Sequence, residues 1–307
     1  MSVSLLEVRD LKKSFGSISP VKGVSFQVKK GSCTALLGPN GAGKTTTLRM
    51  LAGLLKESGG LMEYAGFQRG DSWRNRIGYL PQHPKFYGWM TGREYIRFSA
   101  DISGLDGRKA GERTEKVLEQ VGLKDAAKRR ISGYSGGMKQ RLGLAQALVH
   151  EPELLLLDEP VSALDPLGRR EVMDMIRDLK GDNITILFST HVLHDAEEIC
   201  DEMLFMVDGL IAEQGTLDDL RTKYRQPVLH IAVESAGKGA EWLKSLAAKS
   251  FVADAEIGRD SAKLTVNDIT IARKQLMKEI SEQDIPLVRF EAGTSSLEDM
   301  FMKVVSG

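Results

Sequence analysis

The chain has 307 residues, enough for one large domain with a small one or for two domains of middling size. Its 42 basic and 42 acidic side chains cancel, which argues against broad nucleic-acid binding, because such binding relies on an excess of Lys and Arg. No segment approaches the ~20 apolar residues that span a bilayer, and no secretory signal is evident at the N-terminus. The two cysteines, Cys33 and Cys200, lie far apart in sequence, fit no metal-ligand spacing and give no disulfide framework. We therefore expect a cytoplasmic protein that reaches a membrane only through a partner and does not bind nucleic acid.

The first region, residues 1–222, alternates short aliphatic strands with Gly-rich turns and helical stretches, which is the pattern of an α/β sheet protein. Within it, residues 87–150 become helical, most clearly at Arg113–Val121, and we interpret them as a helical subdomain inserted into the sheet. The predicted strands are Leu5–Val8, Val24–Val28, Thr34–Leu37, Leu154–Leu157, Ile184–Phe188 and Met203–Val207.

A second, smaller α/β region is predicted at residues 223–307, after a polar segment and Pro227. Its first strand alternates Leu229, Ile231 and Val233 with polar or small neighbours. The predicted order of elements, β-α-β-β-α-β, matches the ferredoxin-like split motif. A last helix carries an apolar stripe, which packs either on this region's own sheet or on the first region or a partner chain. The stripe consists of Leu297, Met300, Phe301 and Val304.

A glycine-rich loop follows the predicted strand Thr34–Leu37 and precedes a helix predicted at Thr45–Leu55. The loop has the pattern G-x-x-x-x-G-K-[ST] in the strand–loop–helix context that this motif requires. Glycines let the backbone wrap closely around phosphates, and the N–H groups at the helix start point at the anion. We expect Lys44 to neutralise the β- and γ-phosphates of a nucleotide, and the Thr45 hydroxyl to bind Mg²⁺. The predicted phosphate-binding residues are Gly38, Pro39, Asn40, Gly41, Ala42, Gly43, Lys44, Thr45 and Thr46.

Two acidic residues, Asp158 and Glu159, directly follow the aliphatic strand Leu154–Leu157. In a parallel sheet this carboxyl edge is where ligands bind. We expect Asp158 to hold the Mg²⁺ shell and Glu159 to polarise a water molecule for attack on the γ-phosphate. Taken alone, the pair also fits a surface turn with two solvated acids, and the upstream phosphate loop favours the catalytic interpretation.

The segment Ser135-Gly136-Gly137-Met138-Lys139-Gln140-Arg141 closely resembles the signature sequence of ABC ATPases, S-G-G-x-x-Q-R. A helix that starts here would present Ser135 and free N–H groups to an anion. In the ABC family this second phosphate element serves ATP bound mainly to the partner subunit, so that two chains enclose two nucleotides head to tail. The resemblance implies this role for Ser135, Gly136 and Gly137.

Other elements of the ABC family occur in the family's order between Leu5 and about Leu220. Gln82 resembles the Q-loop glutamine, which contacts Mg²⁺ and the attacking water, and Asp165 ends a segment that resembles the D-loop at the dimer interface. His191 resembles the switch histidine that touches the γ-phosphate, and Phe15 resembles the aromatic residue that stacks on adenine. The sequence departs from the family at Tyr134, Phe15 and Ala163, where Leu, Tyr and Gly are commoner. None of these departures removes a group that does chemistry.

The resemblance implies a P-loop NTPase fold of the ABC type with an inserted helical subdomain, ATP and Mg²⁺ as cofactors, and ATPase activity with Glu159, His191 and Gln82 as catalytic residues. It also implies two partners: a membrane-embedded permease, which would hold the chain on the inner face of the cell membrane, and a second ATPase subunit, for which an identical chain is favoured over a different one. The C-terminal Ser296–Phe301 and the Met138–Lys139 pair resemble bacterial multidrug and antibiotic exporters. This resemblance implies that ATP hydrolysis powers export of a drug, an antibiotic or a lipid-like small molecule through the permease. An importer ATPase and a non-transport ABC ATPase remain alternatives, although the absence of sustained heptads argues against the coiled-coil DNA-repair members.

Two further groups of residues carry weaker signals. An apolar cluster just after Gln82 fits either internal packing or a groove for a partner, and the sequence does not decide between them. It consists of Phe86, Tyr87, Trp89 and Met90. The remaining histidines lack partners at catalytic or ligand spacing, and we interpret them as structural or surface residues. They are His83, His150, His194 and His230.

Overall fold

The structure is a computed structural model that describes residues 3–66, 73–182, 184–234 and 237–306. The chain divides into two compact units, Met1–Leu217 together with Val304–Gly307, and Asp218–Lys303. This division falls slightly before the polar segment at which the sequence places the domain boundary. Among the described residues, none of the helices combines the length and the apolar character needed to cross a bilayer.

An antiparallel three-stranded sheet opens the first unit, with strand order β2-β1-β4. Its long strands alternate buried and exposed residues, because one face packs on the core and the other faces solvent. In β1, for example, Leu6 and Leu11 are fully buried. The strands are β1 (Ser4–Phe15), β2 (Ile18–Lys29) and β4 (Gly59–Tyr64).

A six-stranded sheet forms the centre of the first unit, with order β5-β6-β7-β3-β8-β9. All its pairs are parallel except β8 with β9. β3, β6 and β7 are buried along their whole length, which explains their nearly continuous apolar sequences. The strands are β3 (Cys33–Leu37), β5 (Ile77–Leu80), β6 (Leu154–Asp158), β7 (Thr185–Thr190), β8 (Glu202–Val207) and β9 (Leu210–Thr216).

This strand order brings distant segments to one edge of the sheet. β3 and β6 both pair with β7, so Leu37 lies opposite Thr190 and Asp158 lies opposite Ser189. The phosphate loop after β3, the acidic pair at the end of β6 and His191 after β7 therefore meet at the carboxyl edge, where parallel sheets bind ligands.

Helices join these strands, and several begin at a side-chain cap. Thr91 forms a capping box with Glu94, and Asp106 caps the next helix. The predicted helix Thr45–Leu55 ends earlier, at Leu51, because Gly53 adopts a left-handed backbone with a φ of 68°. The helices are α1 (Lys44–Leu51), α2 (Gly92–Ile102), α3 (Gly107–Gln120), α4 (Gly136–Leu148), α5 (Pro166–Gly181), α6 (Leu193–Ile199) and α7 (Leu217–Tyr224).

The second unit has the predicted β-α-β-β-α-β order, which confirms the ferredoxin-like motif. Its antiparallel sheet has the order β11-β12-β10-β13. The unit has its own core, in which Leu229, Leu243, Leu264 and Leu276 are fully buried. The elements are β10 (Pro227–Val233), α8 (Lys238–Leu246), β11 (Val252–Ile257), β12 (Ser261–Val266), α9 (Ile269–Glu282), β13 (Leu287–Thr294) and α10 (Leu297–Ser306).

The predicted apolar stripe lies on α10. Leu297 is buried and Phe301 is half-buried. The side chains of Met300 and Val304 lie outside the described residues, so the surface that receives the stripe stays a prediction.

Candidate functional site

The phosphate loop connects β3 to α1 and has no room for side chains at two of its glycines. A Cβ on Gly38 would lie 2.1 Å from the main-chain oxygen of Met206, and one on Gly43 would lie 2.2 Å from that of Pro20. Gly43 also has a φ of 106°, a left-handed conformation that favours glycine. Close packing against the neighbouring chain segments therefore fixes the path of the loop.

Lys44, the first residue of α1, is almost enclosed, with a side chain 5% exposed. Its Nζ donates hydrogen bonds to the main-chain oxygens of Gly38 at 2.7 Å and Pro39 at 3.0 Å. The same Nζ lies 3.5 Å from Oε1 of Glu159. Burial lowers the pKa of Lys44, while the negative charges of Glu159 and Asp158 oppose this shift. The ammonium group is thus a buried cation that further negative charge would stabilise.

Asp158, the last residue of β6, is a fully buried carboxylate. Its Oδ1 accepts hydrogen bonds from the hydroxyls of Thr45 and Ser189, both at 2.9 Å. The hydroxyl of Tyr79 donates to Oδ2 at 3.4 Å. Burial and the charge of Asp158 raise the pKa of Tyr79, so the phenol keeps its proton and remains a donor. These contacts hold the carboxylate in one orientation.

Glu159 turns the chain sharply, with a φ of 45° in the left-handed region. Its N–H donates to Oγ of Ser189 at 2.9 Å. Its Oε2 accepts a hydrogen bond from Nε2 of Gln82 at 3.1 Å and lies 3.3 Å from Nδ1 of His191. Together with Lys44, these contacts bring three predicted site residues to one carboxylate.

A cavity of about 620 Å³ lies over this cluster. Such a volume is ordinary for a small-molecule site. The cavity is lined by Pro20, Asn40, Gly41, Gly43, Lys44, Thr45, Thr46, Gln82, His83, Glu159, Ser162, Ala163 and His191.

The other predicted site residues lie outside the described lining of this cavity. Ser135 caps α4 by accepting a hydrogen bond from the N–H of Met138 at 3.2 Å, and a Cβ on Gly136 or Gly137 would meet open space. The remaining residues are Phe15, half exposed on β1, Asp165, which caps α5, and Gly38, Pro39, Ala42 and Asp158 of the loop and strand ends.

Sequence reasoning missed Ser189, Tyr79 and His83. Ser189 donates to Asp158 and accepts from the N–H of Glu159, so one hydroxyl fixes both acids. Pairing the strand before His191 with the strand before Asp158 in parallel register would have placed Ser189 opposite Asp158. His83, interpreted as a structural or surface residue, lines the cavity together with Gln82.

Replacing Ser189 with alanine should destabilise the chain by about 1–3 kcal/mol, because the variant removes the acceptor of the buried N–H of Glu159 and one of the three donors to Asp158. The control is Ser162→Ala. The Ser162 hydroxyl donates to the main-chain oxygen of Glu159 at 3.1 Å, but the residue is exposed, so the expected loss is below about 0.5 kcal/mol. Urea unfolding of both variants measures the difference. An equal loss in the free energy of unfolding for both variants would show that the Ser189 hydroxyl does not stabilise the two acids as we propose.

Comparison with known families gives two matches along the chain. Residues 21–162 match the family described as ABC transporter. Residues 215–305 match the family described as ATP-binding protein DrrA1-3-like, C-terminal domain.

Individual proteins are similar over nearly the whole length. The ABC transporter ATP-binding protein YxlF of Bacillus subtilis is 48% identical over 98% of this chain and 99% of its own. The bacitracin transport ATP-binding protein BcrA of Bacillus licheniformis is 36% identical over 99% of this chain and 98% of its own. A solved structure of an ATP-binding subunit of an ABC transporter superposes with a TM-score of 0.65, at 32% identity, over 72% of this chain and 93% of that chain.

Proteins of the ABC transporter ATP-binding family bind nucleotide, work with a membrane permease and dimerise. The match to this family agrees with the resemblance found in the sequence at Ser135–Arg141. The fold of the first unit is that of their ATPase cassettes. With the phosphate loop, the acidic pair and the signature segment in place, and with relatives matched from end to end, this chain belongs to the ABC transporter ATP-binding proteins.

Proposed function

We propose that the chain binds ATP with Mg²⁺ in the 620 Å³ cavity and hydrolyses it to drive export of a drug-like or antibiotic small molecule through a separate permease. The observation that carries the site assignment is the convergence of Lys44, Gln82 and His191 on the carboxylate of Glu159. This set suits phosphoryl transfer to water, because the cation can neutralise phosphate charge and the amide and imidazole can orient the carboxylate against a water molecule.

The phosphate loop and Lys44 would hold the triphosphate. Lys44 is a buried cation whose present partners are two main-chain oxygens and a carboxylate, so a phosphate oxygen would compete well for it. The lining residues Asn40, Gly41 and Gly43 would surround the phosphates, and Thr46 would contact them from the first turn of α1.

Asp158 and Thr45 suit Mg²⁺, because a carboxylate and a hydroxyl offer the hard oxygen ligands that this ion prefers. Their oxygens already share one hydrogen bond at 2.9 Å, beside the cavity. Gln82 would supply an amide oxygen to the same ion. When bound, Mg²⁺ would neutralise the developing charge on the phosphates.

Glu159 would act as the general base for the attacking water. Its carboxylate is 9% exposed and lines the cavity, so it can reach a water molecule without being fully solvated. His191 and Gln82 touch the same oxygen of Glu159 and would orient it against the γ-phosphate.

A second copy of the chain would complete the site. The start of α4 is open at Gly136 and Gly137, and a thirteen-residue helix capped by Ser135 offers N–H groups to an anion. We assign this surface to the γ-phosphate of the partner's nucleotide, with Asp165 at the dimer contact and Phe15 against the adenine.

Ser135→Arg should block dimer closure while leaving nucleotide binding to the monomer intact, because a bulky cation would fill the seat of the partner's phosphate. Mixing this variant with Lys44→Ala chains should restore ATPase activity, since one of the two sites in a mixed dimer contains neither change. Activity of the mixture no higher than that of its separate components, with mixed dimers present, would contradict the head-to-tail arrangement.

The permease contact is assigned to an exposed apolar patch that follows Gln82 in the chain, which we define as Tyr87, Trp89, Phe98 and Ile102. These side chains are 55%, 71%, 42% and 69% exposed. Phe86, in contrast, packs edge-on against Tyr95 at 5.0 Å. Large aromatic groups in contact with solvent favour a protein partner with an apolar segment.

Trp89→Ala should weaken association with the permease at least about tenfold, because exposed tryptophans commonly dominate such interfaces. Nucleotide binding should not change. Ile18→Ala is the matched control, since Ile18 is 68% exposed on β2 and outside the patch. Affinity purification of the permease with each variant gives the measurement, and equal recovery from both would place the contact elsewhere.

We propose that residues 1–222 form the ATPase domain and residues 223–307 an accessory domain without catalytic groups. The kind of substrate rests on the similarity to the bacitracin transport protein, and the direction rests on the similarity to the daunorubicin resistance protein DrrA3, because resistance to a drug favours its export. The test is transport in vesicles that contain the co-purified permease, with the ATPase outside and bacitracin or daunorubicin on either side. ATP-dependent movement away from the ATPase-bearing side into the lumen supports export, and movement in the opposite direction overturns it.

A further inference from the structure

Two thiols that the nucleotide site does not use face each other inside the first unit. Sγ of Cys33, the first residue of β3, lies 3.6 Å from Sγ of Cys200, which directly follows α6. Both thiols are free, Cys33 being fully buried and Cys200 8% exposed. We propose that Cys33 and Cys200 form an oxidisable dithiol, which closes to an intrachain disulfide when the protein meets a peroxide.

The backbone already holds the two residues at a suitable separation. β3 pairs in parallel with β8, with Thr34 opposite Glu202. One residue earlier, the N–H of Asp201 donates to the oxygen of Cys33 at 2.9 Å, and the N–H of Cys33 donates to Oδ2 of Asp201 at 2.9 Å. Cys200 directly precedes Asp201 in the chain, so this pairing brings its sulfur to within 3.6 Å of the Cys33 sulfur. The sulfurs need to approach by about 1.5 Å to reach the S–S bond length of about 2.05 Å.

The chemistry balances with hydrogen peroxide as the oxidant. Cys200 is the less deeply buried residue of the two, so its thiolate attacks one peroxide oxygen, which gives a sulfenic acid and releases the other oxygen as water. The Cys33 sulfur then attacks the sulfenic sulfur, forming the S–S bond and releasing a second water. Two thiols and one peroxide thus become one disulfide and two waters.

The reaction should be slow, so that the pair stays reduced until an oxidant persists. Burial raises the pKa of the Cys200 thiol, and the hydrogen bond with Cys33 and the charge of Asp201 act in the same direction. The disulfide would link the first residue of β3 covalently to the residue that follows α6. The phosphate loop follows the opposite end of β3, at Leu37. The disulfide would therefore stabilise the fold without changing the residues that line the cavity.

The test uses the full-length, reduced protein exposed to hydrogen peroxide, then denatured and labelled with a maleimide. Because the chain has two cysteines, any intrachain disulfide must join Cys33 to Cys200. We expect neither cysteine to take the maleimide label and the intact mass to fall by the mass of two hydrogen atoms. The midpoint temperature of thermal unfolding should rise by roughly 5 °C. A thiol reductant should reverse all three changes.

Cys33→Ala is the control, because its Cys200 has no partner and should collect oxygen as sulfenic or sulfinic acid. If this variant fails to fold, the wild-type mass measurement decides alone. Wild-type protein that keeps both labels after peroxide treatment, or gains oxygen on Cys200 while Cys33 still takes the label, would overturn the proposal. The two thiols would then contribute only to the packing of the core.

Discussion

Glu159→Gln should retain ATP binding and lose roughly 100- to 10,000-fold in turnover, because an amide cannot accept the proton of the attacking water. The change keeps the shape of the side chain, and it leaves Oε1 as an acceptor for its neighbours. The measurement is ATP hydrolysis at saturating nucleotide, together with gel filtration in the presence of ATP. We expect the variant to accumulate as a closed dimer, since in the proposed arrangement bound ATP would hold the two copies together until it is hydrolysed.

Glu112→Gln serves as the control for this substitution. Glu112 lies exposed on α3, paired with Arg108 at 3.0 Å and outside the cavity lining, and its loss should leave turnover unchanged. A Glu159→Gln variant that hydrolyses ATP at a rate near that of the wild type, or that stays monomeric with ATP, would remove Glu159 from the role of base.

Lys44→Ala should instead weaken nucleotide binding and raise the dissociation constant about 100-fold or more, because a charge-assisted contact to the phosphates is lost from a buried site. The variant also leaves the carboxylate of Glu159 without its cation at 3.5 Å. Titration with a fluorescent ATP analogue measures the affinity directly, and it separates this effect from the turnover defect of Glu159→Gln.

Lys85→Ala is the matched lysine control, since Lys85 is exposed and follows Gln82 by only three positions. Its removal should change the dissociation constant less than about twofold. If both lysine variants bind ATP with wild-type affinity, the phosphate loop does not hold the nucleotide in the way we propose.

Local patterns in the sequence predicted much of the fold. The aliphatic runs before Gly38 and Asp158 became β3 and β6, because buried parallel strands need continuous apolar residues. The alternation around Ile231 became β10, and the second unit has the predicted order of elements. The boundary of α1 was harder to predict, since its last turn depends on the conformation of Gly53.

The sequence could not show which distant side chains become neighbours, because this depends on the order of the strands in the sheet. β7 lies between β3 and β6, although it follows both in the chain, and only this arrangement brings the Ser189 hydroxyl to Asp158. The approach of Cys33 and Cys200 likewise depends on the pairing of β3 with β8. Local periodicity predicts which segments are strands, whereas tertiary packing decides which strands become neighbours.

At Glu159, the left-handed backbone lowers the stability of the fold, whereas the glutamate side chain is needed for the proposed activity. A non-glycine residue in this region costs on the order of 1–2 kcal/mol relative to an ordinary conformation. Selection for stability alone would favour glycine or asparagine there, as these residues adopt a φ of 45° with less strain. A library selected only for heat resistance should therefore drift away from glutamate at residue 159, and one selected for ATP turnover should retain it.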